Sequence, residues 1–133
     1  LTKCDILLPC ALENQITGEN AAKLNCKIIG EGANGPTTPD ADEIIFNKKI
    51  LILPDVLANS GGVLGSYFEW LQNLDRESWT EEEFNKKLEE KMVKAFNGVY
   101  DMSQNFKVNM RTGAYMIAVK RIADATEKLG LFP

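Results

Sequence analysis

The apolar and polar positions change their rhythm partway along the chain. In the first part, short unbroken apolar runs alternate with short amphipathic stretches. "CDILLP" (4–9), "CKIIG" (26–30) and "ILILPD" (50–55) are continuous rather than alternating. Such runs suit parallel strands buried on both faces. Between the first two lies "TGENAAKLN" (17–25), where Thr17 can cap a helix, Glu19 sits in its first turn, and Ala21, Ala22 and Leu24 form an apolar side. Between the second and third lies "TPDADEIIFN" (38–47), with Thr38 as N-cap, Pro39 first, and Asp40, Asp42 and Glu43 against the positive helix end. Strand, helix, strand, helix, strand implies parallel strands joined by right-handed crossovers.

Beyond Asp55 the period becomes helical. "SGGVLGSYFEWLQNL" (60–74) spaces Val63, Tyr67, Trp70, Leu71 and Leu74 for one helix, and its glycines suggest close approach to a neighbour or ligand. A helix over 80–105 opens on a Thr80–Glu83 capping box and repeats Phe84, Leu88, Met92, Phe96 and Val99 along one face. A last helix runs from an Asn109 cap to a Gly130 stop. These apolar stripes are expected to be core. The "EEE" and "KKLEEK" charges are expected to be a solvated face with i,i+4 pairs.

Composition narrows the chemistry. The net charge of −4 argues against nucleic acid or an anionic membrane as main partner. No apolar run approaches the ~20 residues of a membrane helix. Without histidine, Ser-His-Asp and Cys-His catalysis within this chain are excluded, and zinc is disfavoured. Cys4, Cys10 and Cys26 form no C-x-x-C pair and read as reduced, semi-buried residues of an intracellular protein. The chain opens abruptly within what reads as a strand, "LTKCDILLP", which suggests a piece of a longer protein.

One motif invites a specific reading. Gly30, Gly32 and Gly35 match the G-x-G-x-x-G dinucleotide fingerprint, and Asp55 follows about where a ribose-binding acid would stand. Against it, Pro36 to Pro39 delay the helix past the last glycine, whereas a true motif aims the helix N-terminus at the pyrophosphate. "VLANSGG" makes a second polar, glycine-rich turn after the next strand. From pattern alone, ordinary βα loops and a ligand crevice at the carboxyl edge of a sheet fit equally well.

"CDILLPCALENQIT", "KIIGEGANGPTTPDAD", "ILILPDVLANSGGVLGSYFEWLQNL" and "MRTGAYMIAVKRIADA" together resemble the C-terminal portion of glutamate dehydrogenases, within the glutamate/leucine/phenylalanine/valine dehydrogenase family. The resemblance covers essentially the whole chain. It implies an α/β fold: the second half of a Rossmann-type parallel sheet, about three strands, followed by C-terminal helices. Residues 1–57 would complete an NAD(P)-binding domain, and 58–133 would pack on it and line the substrate cleft. The family's own glycine fingerprint would lie upstream, making Gly30, Gly32 and Gly35 a false match.

The resemblance also implies residue roles. Cys10 and Ala11, in the "PCA" turn, would pass near the cofactor's adenosine side; many relatives carry Ala where Cys10 stands. Asn34 would lie near the nicotinamide ribose, and Asn59 near the nicotinamide or substrate. An amide that donates and accepts suits a carboxamide; local turn stabilisation is the plainer alternative. Ser66 would help hold the glutamate side-chain carboxylate, with Val63 lining the same pocket. The plainer alternative for Ser66 is a bond to its own helix backbone. Leu64 and Gly65 depart from the residues common in relatives.

The implied reaction is reversible oxidative deamination of L-glutamate to 2-oxoglutarate and ammonium with NAD or NADP, in a homo-oligomer, expected to be a hexamer. The family's catalytic lysine and aspartate would belong to the missing N-terminal part of the same chain, so no catalytic residue is assigned here. The chain alone is expected to be inactive and marginally stable, with an unpaired strand edge. The short span between Leu74 and Thr80 leaves no room for the long helical antenna of animal relatives. A cytoplasmic location is expected, with mitochondrial the alternative. Another substrate in the same family (leucine, phenylalanine or valine) and a non-catalytic assembly module are the competing readings.

Overall fold

A computed structural model describes residues 3–130. Leu1 and Thr2, which open the predicted "LTKCDILLP" run, and residues 131–133 lie outside the described residues. The order of elements is β1 (Ile6–Leu7), α1 (Gly18–Ala21), β2 (Ile28–Gly30), α2 (Pro39–Asn47), β3 (Leu51–Leu53), α3 (Asp55–Ala58), α4 (Ser60–Asp75), α5 (Glu81–Phe106) and α6 (Met110–Leu129). The strands form one parallel sheet in the order β1-β2-β3. Ile6 pairs with Ile28, and Ile28 with Leu51. The three predicted strands are therefore present and parallel, but shorter than their apolar runs.

Proline trims two of them. Pro9 and Pro54 lack the N–H that would extend the ladder. Pro9 instead accepts at its carbonyl from Gly32 N at 3.1 Å and Ala33 N at 2.9 Å, tying the loop after β1 to the loop after β2. Asp55 is thus no strand residue; it opens α3, a single turn hidden in what reads as a glycine-rich loop.

One face of the sheet is a dry core. Ile29 and Ile52 meet Ala21 and Leu24 beside α1, and Ala41 and Ile45 of α2, with Ile16 and Ile50 closing the ends. Burying such a side chain contributes roughly 1.5–3 kcal/mol, so this cluster dominates the first half. Its α1 is only one turn long, not the helix expected over 17–25. Lys23 N and Leu24 N bond three residues back, to Asn20 and Ala21, tightening the chain after the first turn. Lys48 Nζ then covers the freed carbonyls, reaching that of Leu24 at 2.8 Å.

The expectation that every strand is covered on both faces fails at β1. Ile6 and Leu8 are 57% and 63% exposed, because β1 stands at the sheet edge and α5 and α6 cover the second face only beside β3.

The helices after Asp55 pack through a few contacts. Phe68 of α4 meets Trp79 and Phe84 edge-on, at ring separations of 5.5 and 5.6 Å. Gly65 lies against Phe84, as glycine's small size permits, whereas Gly61 and Gly62 face open space. Gly113 lets α6 close on α5: a Cβ there would stand 3.1 Å from the Val99 carbonyl oxygen. Glu83 N donates to Thr80 Oγ1 at 3.2 Å and Thr80 N to Glu83 Oε2 at 2.8 Å, completing the expected capping box. Asn109 caps α6 through Thr112 N.

Two expectations for this half are corrected. Val63, Tyr67, Trp70 and Leu74 are not core; they line the exposed side of α4, because Phe68 occupies the side turned to α5. Among the described residues, α5 makes no i,i+4 ion pair. Lys87 instead places its Nζ over the Trp79 ring, 4.7 Å from the centroid, where the cation meets the aromatic face. No described helix is long and apolar enough to cross a membrane.

Candidate functional site

The loops after β1, β2 and β3 converge at the carboxyl edge of the sheet. In a parallel α/β sheet this edge is where ligands sit, since strand ends, loops and helix starts meet there. The β2 loop brings Asn34, and the α3–α4 junction brings Asn59. Asn59 Nδ2 donates to Asn34 Oδ1 at 2.6 Å and reaches the Gly32 carbonyl at 3.3 Å. The Gly32 carbonyl accepts only from a donor, so it fixes which way the Asn59 amide faces, and Asn59 then orients Asn34. The pair presents one outward donor, Asn34 Nδ2, and one outward acceptor, Asn59 Oδ1. Asn34 is exposed and Asn59 half-buried.

Cys10 reaches the same place from the β1 loop. It packs so closely on Gly32 that an added Cβ would stand 2.6 Å from Cys10 Sγ. Ala11 follows on the surface. Beside this crossing is a cavity of about 520 Å³, lined by Leu8, Cys10, Gly32, Leu53, Ala58 and Phe96 among others. Its wall is mostly apolar, and Gly32, whose carbonyl accepts from Asn59, is shared with the loop crossing. Cys10 is exposed rather than semi-buried as expected, whereas Cys4 and Cys26 are half-buried. Burial pushes the Cys26 thiol up, with Cys4 adding to the shift.

Val63 and Ser66 follow Asn59 at spacings of four and three residues, which stacks all three on one side of α4. Both are exposed, Val63 at 71%. The Ser66 hydroxyl donates to the Gly62 carbonyl at 3.3 Å, a long bond that its rotation could exchange for an acceptor on a ligand.

The glycine fingerprint is answered by its last amide. Gly35, at φ +56°, donates its N–H to Asp55 Oδ2 at 2.7 Å. That is an amide a phosphate-binding turn would offer its ligand. Asp55 is equally engaged, so it is not a free ribose-binding acid. Three carboxylates crowd this loop, and a pyrophosphate would be repelled by them.

Those carboxylates gather around Arg111, which the sequence reading missed. Arg111 Nε donates to Asp42 Oδ2 at 2.6 Å and Nη2 to Asp42 Oδ1 at 3.2 Å, a bidentate pair. Nη2 also reaches Glu31 Oε1 at 2.7 Å, and Nη1 reaches Asp55 Oδ1 at 3.0 Å. The Glu31 side chain is wholly buried. Its second oxygen accepts from Asp55 N at 2.8 Å, at the start of α3. Burial works against the Arg111 charge, but its bonds to Asp42 and Glu31 outweigh it and hold the guanidinium firmly protonated.

Asp42 therefore serves a distant arginine rather than only its own helix end. A cation in the first turn of α6 opposes the helix dipole by about 0.3–1 kcal/mol. Hydrogen bonds to charged groups contribute ~1.5–3 kcal/mol each, so the carboxylates decide the matter. The available signals were Glu31 standing between glycines at a strand end and Arg111 placed where helices disfavour a cation.

Known proteins place the chain in a family. The family model for Glutamate/Leucine/Phenylalanine/Valine dehydrogenase matches residues 1–130. The chain is 52% identical over 127 residues to an NAD-specific glutamate dehydrogenase of Staphylococcus aureus, covering 96% of this chain and 31% of that protein. The crystal structure of glutamate dehydrogenase from Peptoniphilus asaccharolyticus superposes with a TM-score of 0.89 at 46% identity, covering 94% of this chain and 32% of that one. A hetero-hexameric glutamate dehydrogenase from Thermus thermophilus, in a Leu-bound form, gives a TM-score of 0.91 at 29% identity, covering 97% and 31%. The chain thus spans about a third of the length of these relatives.

Proposed function

The chain belongs to the glutamate/leucine/phenylalanine/valine dehydrogenase family, and on that premise we propose that the complete protein is an NAD-dependent glutamate dehydrogenase. The observation that carries this reading is the Asn34–Asn59 pair at the carboxyl edge of the sheet, in a chain about half identical to an NAD-specific enzyme. The reaction is L-glutamate, NAD⁺ and water giving 2-oxoglutarate, ammonium, NADH and a proton. Bound NAD⁺ supplies the hydride acceptor.

The residues here fit the uncharged parts of a dinucleotide, away from its pyrophosphate. Asn34 Nδ2 and Asn59 Oδ1 match a carboxamide or ribose hydroxyl, which also both donate and accept. Cys10, Ala11 and Gly32 keep the loop crossing thin enough for close approach. Ser66 would donate to the substrate's side-chain carboxylate, and Val63 would shape the same pocket. Proton transfers are assigned to no residue of this chain. Assembly as a hexamer of complete chains, and a cytoplasmic location, belong to the same reading; the hexameric Thermus relative supports the former.

The test is the complete protein assayed with glutamate, leucine, phenylalanine and valine, each with NAD⁺ and NADP⁺, followed by formation of reduced nicotinamide. Turnover of glutamate with NAD⁺ far above every other pairing is expected. Preference for a branched or aromatic amino acid would refute the substrate assignment. Activity unaffected by Ser66→Val and Asn59→Ala would reduce this chain to an assembly module.

A further inference from the structure

We propose that Arg111 is a positioning residue for the cofactor-binding amides, acting through Asp55; this deepens the reading above and rests on it. Arg111 touches none of Cys10, Ala11, Asn34, Asn59, Val63 or Ser66 through a hydrogen bond among the described residues. It meets the carboxylate of Asp55, which holds the backbone beside Asn34, in the residue whose main chain holds Asn59. Asp55 Oδ1 accepts from Arg111 at 3.0 Å, and Oδ2 accepts from Gly35 N at 2.7 Å. Gly35 follows Asn34 directly. The Asp55 carbonyl accepts from Asn59 N at 3.1 Å. One residue therefore fixes the backbone beside Asn34 and the backbone of Asn59, whose side chains meet at 2.6 Å.

The remaining bonds lock Asp55 itself. Glu31 receives Asp55 N on one oxygen and Arg111 on the other, so the α3 start and the guanidinium share a buried anchor. Asp42 holds the guanidinium plane by its bidentate pair. Lysine has a point charge with three donors in place of the planar fork and cannot keep the bidentate pair with Asp42 while also reaching Glu31 and Asp55. The last helix of the chain thereby sets the geometry of two loops it hardly covers.

The test uses the complete enzyme, with NADH binding read by fluorescence and glutamate KM read separately. Arg111→Lys and Asp55→Ala are expected to weaken NADH binding by about ten-fold or more, with glutamate KM within about two-fold. Asn59→Ala is expected to weaken NADH similarly. Adding Arg111→Lys to Asn59→Ala should then cost little more, because both act on one contact. Ile45→Ala, in the core on the opposite sheet face, should lower stability and leave NADH binding unchanged.

Additive losses in the double variant, or unchanged NADH binding in Asp55→Ala, would overturn the proposal. Should Asp55→Ala not fold, isosteric Asp55→Asn sacrifices one of the two links and should weaken NADH by about three-fold; no change there would be equally fatal. Asn59→Ala without effect would remove the amide site and this proposal together. An Asn59→Ala effect beside a silent Asp55 removes the positioning role alone.

Discussion

The two halves of this molecule are held by different forces. The sheet face beneath α1 and α2 is apolar and dry, with Ala21, Ile29, Ala41 and Ile45 all fully buried. The α4–α6 half buries few residues and leaves Val63, Trp70, Val119 and Ile122 more than half exposed. It is joined to the sheet by the Arg111 cluster, a small apolar contact of Leu57, Val99 and Met110, and close helix crossings. A dry core tolerates rearrangement in proportion to volume. A buried charge cluster fails when one member is lost, because the others are left unpaired. The site lies where these regimes meet, which gives its loops a polar tether rather than a greasy one.

The contrast can be attacked most severely at the tether. Arg111→Met should destabilise by about 3–5 kcal/mol, since Glu31 would remain buried without its counter-ion. Urea unfolding of the variant measures this, and a loss below that of a surface change would mean water compensates freely. Ile45→Ala should cost about 2–5 kcal/mol by leaving a cavity in the dry face. Hydrogen exchange should show that loss at β2 and α2, and a loss concentrated in α5 would break the division into halves.

Gly113→Ala sets helix propensity against a crossing of backbones. Alanine gains about 1 kcal/mol as a helix former. Overpacking against rigid backbone costs ~1–3 kcal/mol, so a small net destabilisation is expected. A raised unfolding midpoint would show that α5 and α6 separate easily. The mildest change is acidification at the start of α5. The Thr80 N–H, and then its hydroxyl, hold the Glu83 carboxyl below its ordinary range. Its contribution is present above the unfolded carboxylate pKa and is lost as pH falls through the depressed folded value. Protection of the Thr80 amide, taken against its intrinsic exchange rate at each pH, should therefore fall at acid pH in the native protein and show no such dependence in Glu83→Gln.

The elements with local causes were legible. Thr80 with Glu83, Asn109 and Gly130 mark helix ends because a cap is satisfied within one turn of chain. Thr38 and Pro39 place the α2 start for the same reason, although the Thr38 hydroxyl turns to the Ile16 carbonyl instead of capping. The amide pair was half legible: Asn34 and Asn59 could be named from their motifs, but not their bond. The α4 stripe misled because helical spacing shows that a face exists and says nothing about what covers it. The α3 turn was hidden because glycine and asparagine are read as loop formers, while its backbone is held by Pro54 and Glu31.

By itself, then, the sequence determined the class of the fold, the order of the strands and of every helix but α3, and the family to which the chain belongs. These follow from hydrophobic period, caps and long motifs, all encoded between near neighbours. Only the tertiary structure decided the partners of Glu31, Asp42, Asp55 and Arg111. Those charges stand as far as 80 positions apart along the chain. A charge carries no local sign of its partner; burial alone, by removing water, forces these four to find each other.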